Sequence, residues 1–227
     1  MTYYFKASEL HDYIIRYFVR WSVPAEDAAL AADVLLSADA RGVDSHGMIR
    51  LNSYYGSRLR KGLINPLSPM TILKETPTTL AVDGNNGLGH PLGVKTMRQC
   101  IEKAKVSGLA MATVSNSNHY GIAGYYAMLA LEHDMIGVSF TNSGPLVAPT
   151  HGKKAMLGTN PIAVAVPTLR QKPFVLDMAT SIVPIGRVSV YQKEGKSIPA
   201  GWGVNSNGAV TEDPNQVVSG GALMPLG

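Results

Sequence analysis

The chain has 227 residues, 45% of them hydrophobic, enough to bury a core in one large domain or two small ones. Lys and Arg exceed Asp and Glu by 20 to 16, and the charges are scattered rather than gathered into a stripe, which makes nucleic acid a weak hypothesis and leaves small anionic ligands compatible with that balance. One cysteine, Cys100, excludes an internal disulfide; the polar start MTYYFKASELHDY excludes a signal peptide, and no apolar run reaches the ~18 residues of a membrane span, so no membrane partner and a cytoplasmic location are expected.

Ser8 is a candidate N-cap with Glu9 in the first turn, and Leu10, Ile14, Tyr17, Phe18 and Trp21 follow at helical spacing, predicting a helix over 8–22. Pro24 opens a second, Ala25 to Asp39, whose alanines at 28, 29, 31 and 32 permit the close packing of a helical hairpin. Gly42 and Gly47 then bracket Asp44, Ser45 and His46. A helix is expected to resume near Met48, with Arg50, Tyr54, Arg58 and Lys61 along one side, until Gly62 and Pro66 end it. From Thr71 the pattern changes to strands: TILKE, then TTLAVDG, then the glycine-rich NNGLGHPLG leading into a helix over 91–107. GLAMATV is the next strand, its Met111 to Val114 read as buried, and SNSNHYGIAGYY follows. A helix over 125–132 and the strands in MIGVSFTNS, LGTNPIAVAVPT and PFVLDMATS complete an α/β pattern with a helical N-terminal segment, 1–66, ahead of an α/β region, 67–227. From Gln192 onward Gly, Pro, Asn and Ser dominate and predict an extended surface arm with a turn at Asn207–Gly208; the ending at Gly227, without a final packing element, reads as a truncation.

Four groups of residues carry candidate chemistry. His119 falls at a strand-to-helix corner, where an imidazole that titrates near neutral pH and the N–H groups of a helix start could act on one anion; a capping histidine is the competing reading. Ser45, His46 and Arg50 combine a hydroxyl to orient, an imidazole to give a proton and a guanidinium to grip a carboxylate. His46 and Arg50 share a face if a helix begins at His46; the alternative is a solvent-facing first turn. Gly84, Gly87, Gly89 and Gly93 suggest a dinucleotide loop, but the spacing is G-x-G-x-x-x-G and no strand-end acid follows ~20 residues later, so tight strand-to-helix packing explains them better. The six histidines, at 11, 46, 90, 119, 133 and 151, form no recognised metal-ligand pair, and separate surface and capping histidines are expected with no metal.

The chain resembles the type 2 malate/L-lactate dehydrogenase family, whose members include relatives acting on ureidoglycolate, diketogulonate, sulfolactate and cyclic imino acids. The resemblance runs through ARGVDSHGMIRL, SNSNHYGIAGYY, TNSGPLVAP, GTNPIAVAVP, VLDMATS, the IPAGWGV arm with TEDP, and GGALMPLG, in family order. It implies a non-Rossmann, layered α/β sheet, a nicotinamide cofactor (NAD or NADP) bound by the region 67–227, a homodimer, and a small 2-oxo or 2-hydroxy acid as substrate. By motif, Ser45 and His46 match a serine and proton-donating histidine, Arg50 the carboxylate-binding arginine, and His119 the acid/base of other relatives, with Tyr120, Gly121, Ile122 and Ala123 beside the cofactor. Ser143, Asp177, Met178, Ala179, Leu226 and Gly227 match dinucleotide contacts, and Gly158, Thr159 and Asn160 are second-choice residues for shaping the site. Two departures stand out: Ile185 precedes Gly186 and Arg187 where many relatives carry an arginine, and family chains continue well beyond Gly227.

The implied chemistry is NAD(P)-dependent reduction of a 2-oxo acid to a 2-hydroxy acid, with His46 and His119 as rival proton donors; the preferred assignment is His46, oriented by Ser45, with His119 between cofactor and substrate. The rival reading is a non-catalytic cofactor-binding or dimerisation fragment of such an enzyme. A metal-dependent hydrolase is a third and weaker one.

Overall fold

The computed structural model describes residues 5–226; the Gly227 assignment lies outside them. Two compact units are present. The larger reaches to Gly137 and takes in Val166–Pro173; the smaller is Val138–Ala165 together with the chain from Phe174 onward.

In the larger unit, α1 (Ala7–Val19) and α2 (Ala25–Ala40) form the expected hairpin. Ser8 is not its cap: Lys6 holds that position, and α1 ends three residues early because the Val23 amide turns back to the Phe18 carbonyl. Ile14 and Phe18 of α1 and Ala28, Ala31, Ala32 and Leu35 of α2 are buried in one core with Leu51, Tyr55, Ile64 and Leu88. The alanines let the backbones approach, and each large apolar side chain removed from water contributes roughly 1.5–3 kcal/mol.

The first sheet has β2 (Thr79–Gly87) at its centre, antiparallel to β1 (Thr71–Glu75) and parallel to β3 (Met111–Ser117). Parallel neighbours need a crossover, and α4 (Gly89–Ser107) supplies it. The Lys95 ammonium lies 2.5 Å from the carboxylate of Asp27, tying α4 to α2 at a buried acid. Beyond β3 come α5 (Ala123–Leu129) and a 3₁₀ turn, Ala130–His133. Leu30, Val34, Val94 and Tyr126 pack where α2, α4 and α5 meet. The expectation of a buried strand at Met111–Val114 fails: Met111 is 61% exposed and Val114 38%, because β3 has β2 on one edge only among the described residues.

The smaller unit is built on β4 (Gly137–Phe140), β5 (Ile162–Val166) and β6 (Phe174–Met178), in that spatial order. After β6 come α6 (Ile185–Lys193), β7 (Gly203–Val204), β8 (Val210–Thr211), α7 (Pro214–Val218) and β9 (Ala222–Leu223), with β7 central in a third small sheet. The surface arm expected from Gln192 is therefore folded. Val147, Val188, Ile198, Val217 and Leu223 make its core, and Ile185 packs against them, giving that position a structural task. The turn signal at Asn207–Gly208 does join β7 to β8, with Gly208 at φ +85°. An α/β fold with a helical N-terminal segment is thus present, its strands divided among three small sheets in the described residues. No helix among these residues is long and apolar enough to cross a membrane.

Candidate active site

The segment after α2 folds around a half-buried carboxyl. Asp39 accepts a hydrogen bond from the Met48 amide at 2.8 Å, and a Cβ on Gly47 would lie only 1.8 Å from Asp39 Oδ1, so only glycine lets the chain pass here. Burial raises the Asp39 pKa; the Met48 bond opposes this and the nearby Asp44 adds to it. A 3₁₀ turn, Asp44–His46, then presents Ser45 Oγ 2.9 Å from His46 Nδ1. These adjacent side chains, which an extended backbone would aim apart, meet because the turn is tight.

Arg50 does not share a helix face with His46, since the turn ends there. Its Nε instead donates to the Ser45 carbonyl at 2.7 Å, which anchors the guanidinium beside His46 by a different route. The expected regular helix is also interrupted. Leu51–Gly56 is a π-helical turn, followed by the short α3 (Ser57–Arg60). One extra residue per turn carries both Tyr54 and Tyr55 to the His119 ring, at centroid distances of 5.2 and 5.8 Å. The Arg58 guanidinium lies over the outer face of Tyr54, 4.5 Å from its centroid.

His119 sits in the loop between β3 and α5. The Asn118 amide nitrogen donates to the carbonyls of Asn86 and Gly87, holding this loop on the end of β2, where Asn85 and Asn86 take left-handed backbone angles. A Cβ on Gly89 would be 2.1 Å from the Asn118 carbonyl oxygen and one on Gly93 2.5 Å from the Tyr126 ring, so the glycine cluster serves close packing of helix against loop. The Tyr126 hydroxyl donates to the Tyr120 carbonyl, and the two rings stack at 4.5 Å. Gly121, at φ +81° with Val34 in the way of any Cβ, turns its amide back to His119 Nδ1 at 3.2 Å. Ile122 and Ala123 are buried as α5 begins.

His46 and His119 thus come together, their rings stacked at 5.5 Å and 22°. The larger unit assembles Ser45, His46, Arg50 and His119 from two stretches some seventy positions apart, with Tyr120–Ala123 continuing from the second. Burial lowers the His46 pKa and Arg50 lowers it further; burial takes His119 to about 3, with contributions from His46, Arg50 and Arg58. Tyr54, Tyr55 and His90 were not singled out as site residues from sequence. His90 is fully buried at the start of α4, 4.6 Å from the Tyr55 ring, with no hydrogen-bond partner on either nitrogen; burial and His119 take its pKa to about 3. The sequence signals were slight: Tyr54 falls on one side of the helix expected after Met48, and His90 within the glycine-rich NNGLGHPLG. Among the described residues no group of three or more His, Cys, Asp or Glu is placed to hold a metal ion.

In the smaller unit, Ser143 Oγ accepts from the Thr159 amide at 2.9 Å, and the Ser143 amide donates to Asn160 Oδ1 at 3.1 Å. The Thr180 amide donates to the Thr159 carbonyl at 2.7 Å, and Leu226 donates its amide to the Thr180 carbonyl at 2.9 Å. Ser143, the second-choice residues Gly158, Thr159 and Asn160, Ala179 and Leu226 therefore converge where β4 and β6 end and β5 begins, with Asp177 and Met178 the last residues of β6. Gly144 opens onto free space: a Cβ there would meet nothing within 4 Å.

Residues 5–227 match the family profile described as malate/L-lactate dehydrogenase. A malate dehydrogenase of Pyrococcus abyssi is 50% identical over 219 residues, 96% of this chain and 60% of that protein. An NAD(+)-specified ureidoglycolate dehydrogenase of Escherichia coli O157:H7 is 36% identical over 217 residues, 95% of this chain and 61% of that one. The crystal structure of malate dehydrogenase from Entamoeba histolytica superposes with a TM-score of 0.95 at 38% identity, covering 100% of this chain and 64% of that chain. The chain spans about 60% of the length of the curated relatives it matches.

Proposed function

The chain belongs to the malate/L-lactate dehydrogenase family, and from that premise we propose that it serves a dehydrogenase that interconverts a 2-oxo acid and a 2-hydroxy acid with a nicotinamide cofactor. The observation that carries this is the convergence of Ser45, His46, Arg50 and His119 at one place. Arg50, held by the Ser45 carbonyl, binds the substrate carboxylate by charge-assisted hydrogen bonds. Ser45 engages Nδ1 of His46, which leaves Nε2 for the substrate oxygen. His46 gives its proton as negative charge grows on that oxygen and takes it back in the oxidative direction; such acid–base catalysis contributes ~10² to 10⁴ in rate.

The cofactor, when bound, supplies the hydride to the carbonyl carbon or removes it. The smaller unit fits such a group by the chemistry of its donors: hydroxyls at Ser143 and Thr159, the open backbone at Gly144, and the short Ala179 beside the flexible Met178. Tyr120, Gly121, Ile122 and Ala123 join the proposed contacts through the family match, with Asp177, Leu226 and Gly227. NAD is favoured over NADP by the name of the ureidoglycolate-oxidising relative. Malate-like acids are the first substrates to test, given the name of the Pyrococcus relative. A substrate side from 1–66, a cofactor side from 67–227, a cytoplasmic setting and a homodimer belong to the same proposal.

The second reading is a fragment that binds cofactor or a partner copy without catalysis; the chain spans about 60% of the length of the curated relatives it matches. NADH fluorescence titration followed by NADH oxidation with a panel of 2-oxo acids separates them. Binding with turnover is expected of the dehydrogenase; binding without turnover on any acid selects the fragment.

A further inference from the structure

Two groups address one nitrogen of His119. The Tyr55 hydroxyl lies 2.6 Å from Nδ1 and the Gly121 amide donates to the same atom at 3.2 Å. An amide N–H can only donate, so Nδ1 must bear a lone pair. If Nδ1 carried a hydrogen instead, two hydrogens would face each other along the Gly121 contact, and a donor removed from water would lose its partner. We infer that Tyr55 and Gly121 hold the ring proton of His119 on Nε2, making His119 a fixed hydrogen-bond donor to the substrate oxygen and leaving proton transfer to His46.

Both supports are rigid. The Tyr55 ring is buried with Phe18 at 6.2 Å, Tyr54 at 5.1 Å and His90 at 4.6 Å, all in tilted or edge contacts. His90 makes no hydrogen bond, so it does not compete for the Tyr55 proton. Burial holds the Tyr55 hydroxyl well above its ordinary pKa, which keeps that proton in place. Gly121 has its amide direction set by the left-handed turn that Val34 closes behind it. The groups around the ring also disfavour a second proton: His46, Arg50 and Arg58 are cationic or become so, Tyr54 and Tyr55 are neutral, and the fully buried His90 lies behind.

The consequence bears on which histidine does what. A base must offer a lone pair to the hydroxyl proton of a 2-hydroxy acid, and the outward nitrogen of His119 has none in this tautomer. His46 does have one when its Nδ1–H donates to Ser45 Oγ, and it becomes the acid when Nε2 gains a proton. Tyr55 is then a positioning residue that acts through His119. That role rests on the dehydrogenase reading, whereas the tautomer itself does not.

The test is ¹⁵N NMR of the chain labelled in histidine, from about pH 8 to about pH 5. The expected result is an unprotonated-type shift at Nδ1 of His119 and a protonated-type shift at Nε2, both constant over that range. A proton on Nδ1, or a titration of His119 within the range, would overturn the inference. In Tyr55→Phe, with the ring retained, the Gly121 amide still requires the Nε2–H form, and the Nδ1 shift is expected to move with the loss of one donor; Tyr54→Phe should leave the His119 signals as they are. A Tyr55→Phe spectrum identical to wild type at His119 contradicts the role given to the hydroxyl. An inactive chain that shows the Nε2–H tautomer refutes the dehydrogenase reading and leaves the tautomer standing.

Discussion

His46 and His119 present two imidazoles in one place with unequal surroundings. His46 is held by a hydroxyl beside an anchored guanidinium, and His119 by two donors on its inner nitrogen. This predicts unequal variants. In single-turnover hydride transfer, His46→Ala should slow chemistry by ~10² to 10⁴ while NADH still binds, and His119→Ala should do less. A His46→Ala enzyme as fast as wild type beside an inert His119→Ala enzyme would reverse the assignment. At this scale the sequence pointed to side chains that the fold brings together but not to how they are held. Ser45, His46, Arg50 and His119 were legible as chemistry-bearing residues in glycine-punctuated segments. Tyr55 and His90 were not, because an aromatic pair and a histidine at a helix start look the same whether they line a site or fill a core. The Arg50 anchor was also invisible: spacing alone suggested a shared helix face, whereas the guanidinium is tethered to a carbonyl of the preceding turn.

Among the elements, the corner between β3 and α5 depends on what lies beneath it. The first residue of α4 touches the backbone of Asn118 and His119, and neither carbonyl can yield without moving the imidazole. Gly89→Ala should therefore destabilise the chain by roughly 1–3 kcal/mol, read as a lower urea midpoint, and should shift the His119 resonances. An unchanged midpoint with unshifted His119 signals would show that the loop is not seated on α4. The helical hairpin, β1, β2, α4 and the order of the later strands follow from periodicity and from Pro24, because amphipathic spacing is a local signal. Three features escaped it. The π-helical turn at Leu51–Gly56 has no distinguishing composition. The exposure of β3 depends on a neighbour rather than on its own residues. The folded segment after Gln192 buries only a few apolar side chains, Ile198, Val217 and Leu223 among them, between turn-rich stretches that read as a loop.

For the whole molecule, charge burial sets the response to acid. His90 and His119 are driven to about 3 in the folded chain, while an unfolded chain takes up protons on them near the ordinary histidine value of about 6.5. The unfolded state then binds more protons, so these groups leave stability unaffected above about 6.5 and withdraw it as pH falls toward 3, by about 1.4 kcal/mol per imidazole for each pH unit crossed. Urea midpoints at about pH 7 and about pH 5 should differ in that direction, and His90→Leu, which replaces a ring with two unpartnered nitrogens, should flatten the difference. An equally steep loss in the variant would assign the acid sensitivity elsewhere.

At the same scale the family is secure while activity is a property to be measured on a chain that spans about 60% of its relatives. The most direct measurement mixes this chain with NADH and a panel of 2-oxo acids that includes oxaloacetate, following cofactor fluorescence first for binding and then for consumption. Saturable NADH binding and its oxidation by at least one of these acids are expected of the dehydrogenase. Absence of NADH binding, or binding with no oxidation by any acid in the panel, would rule it out.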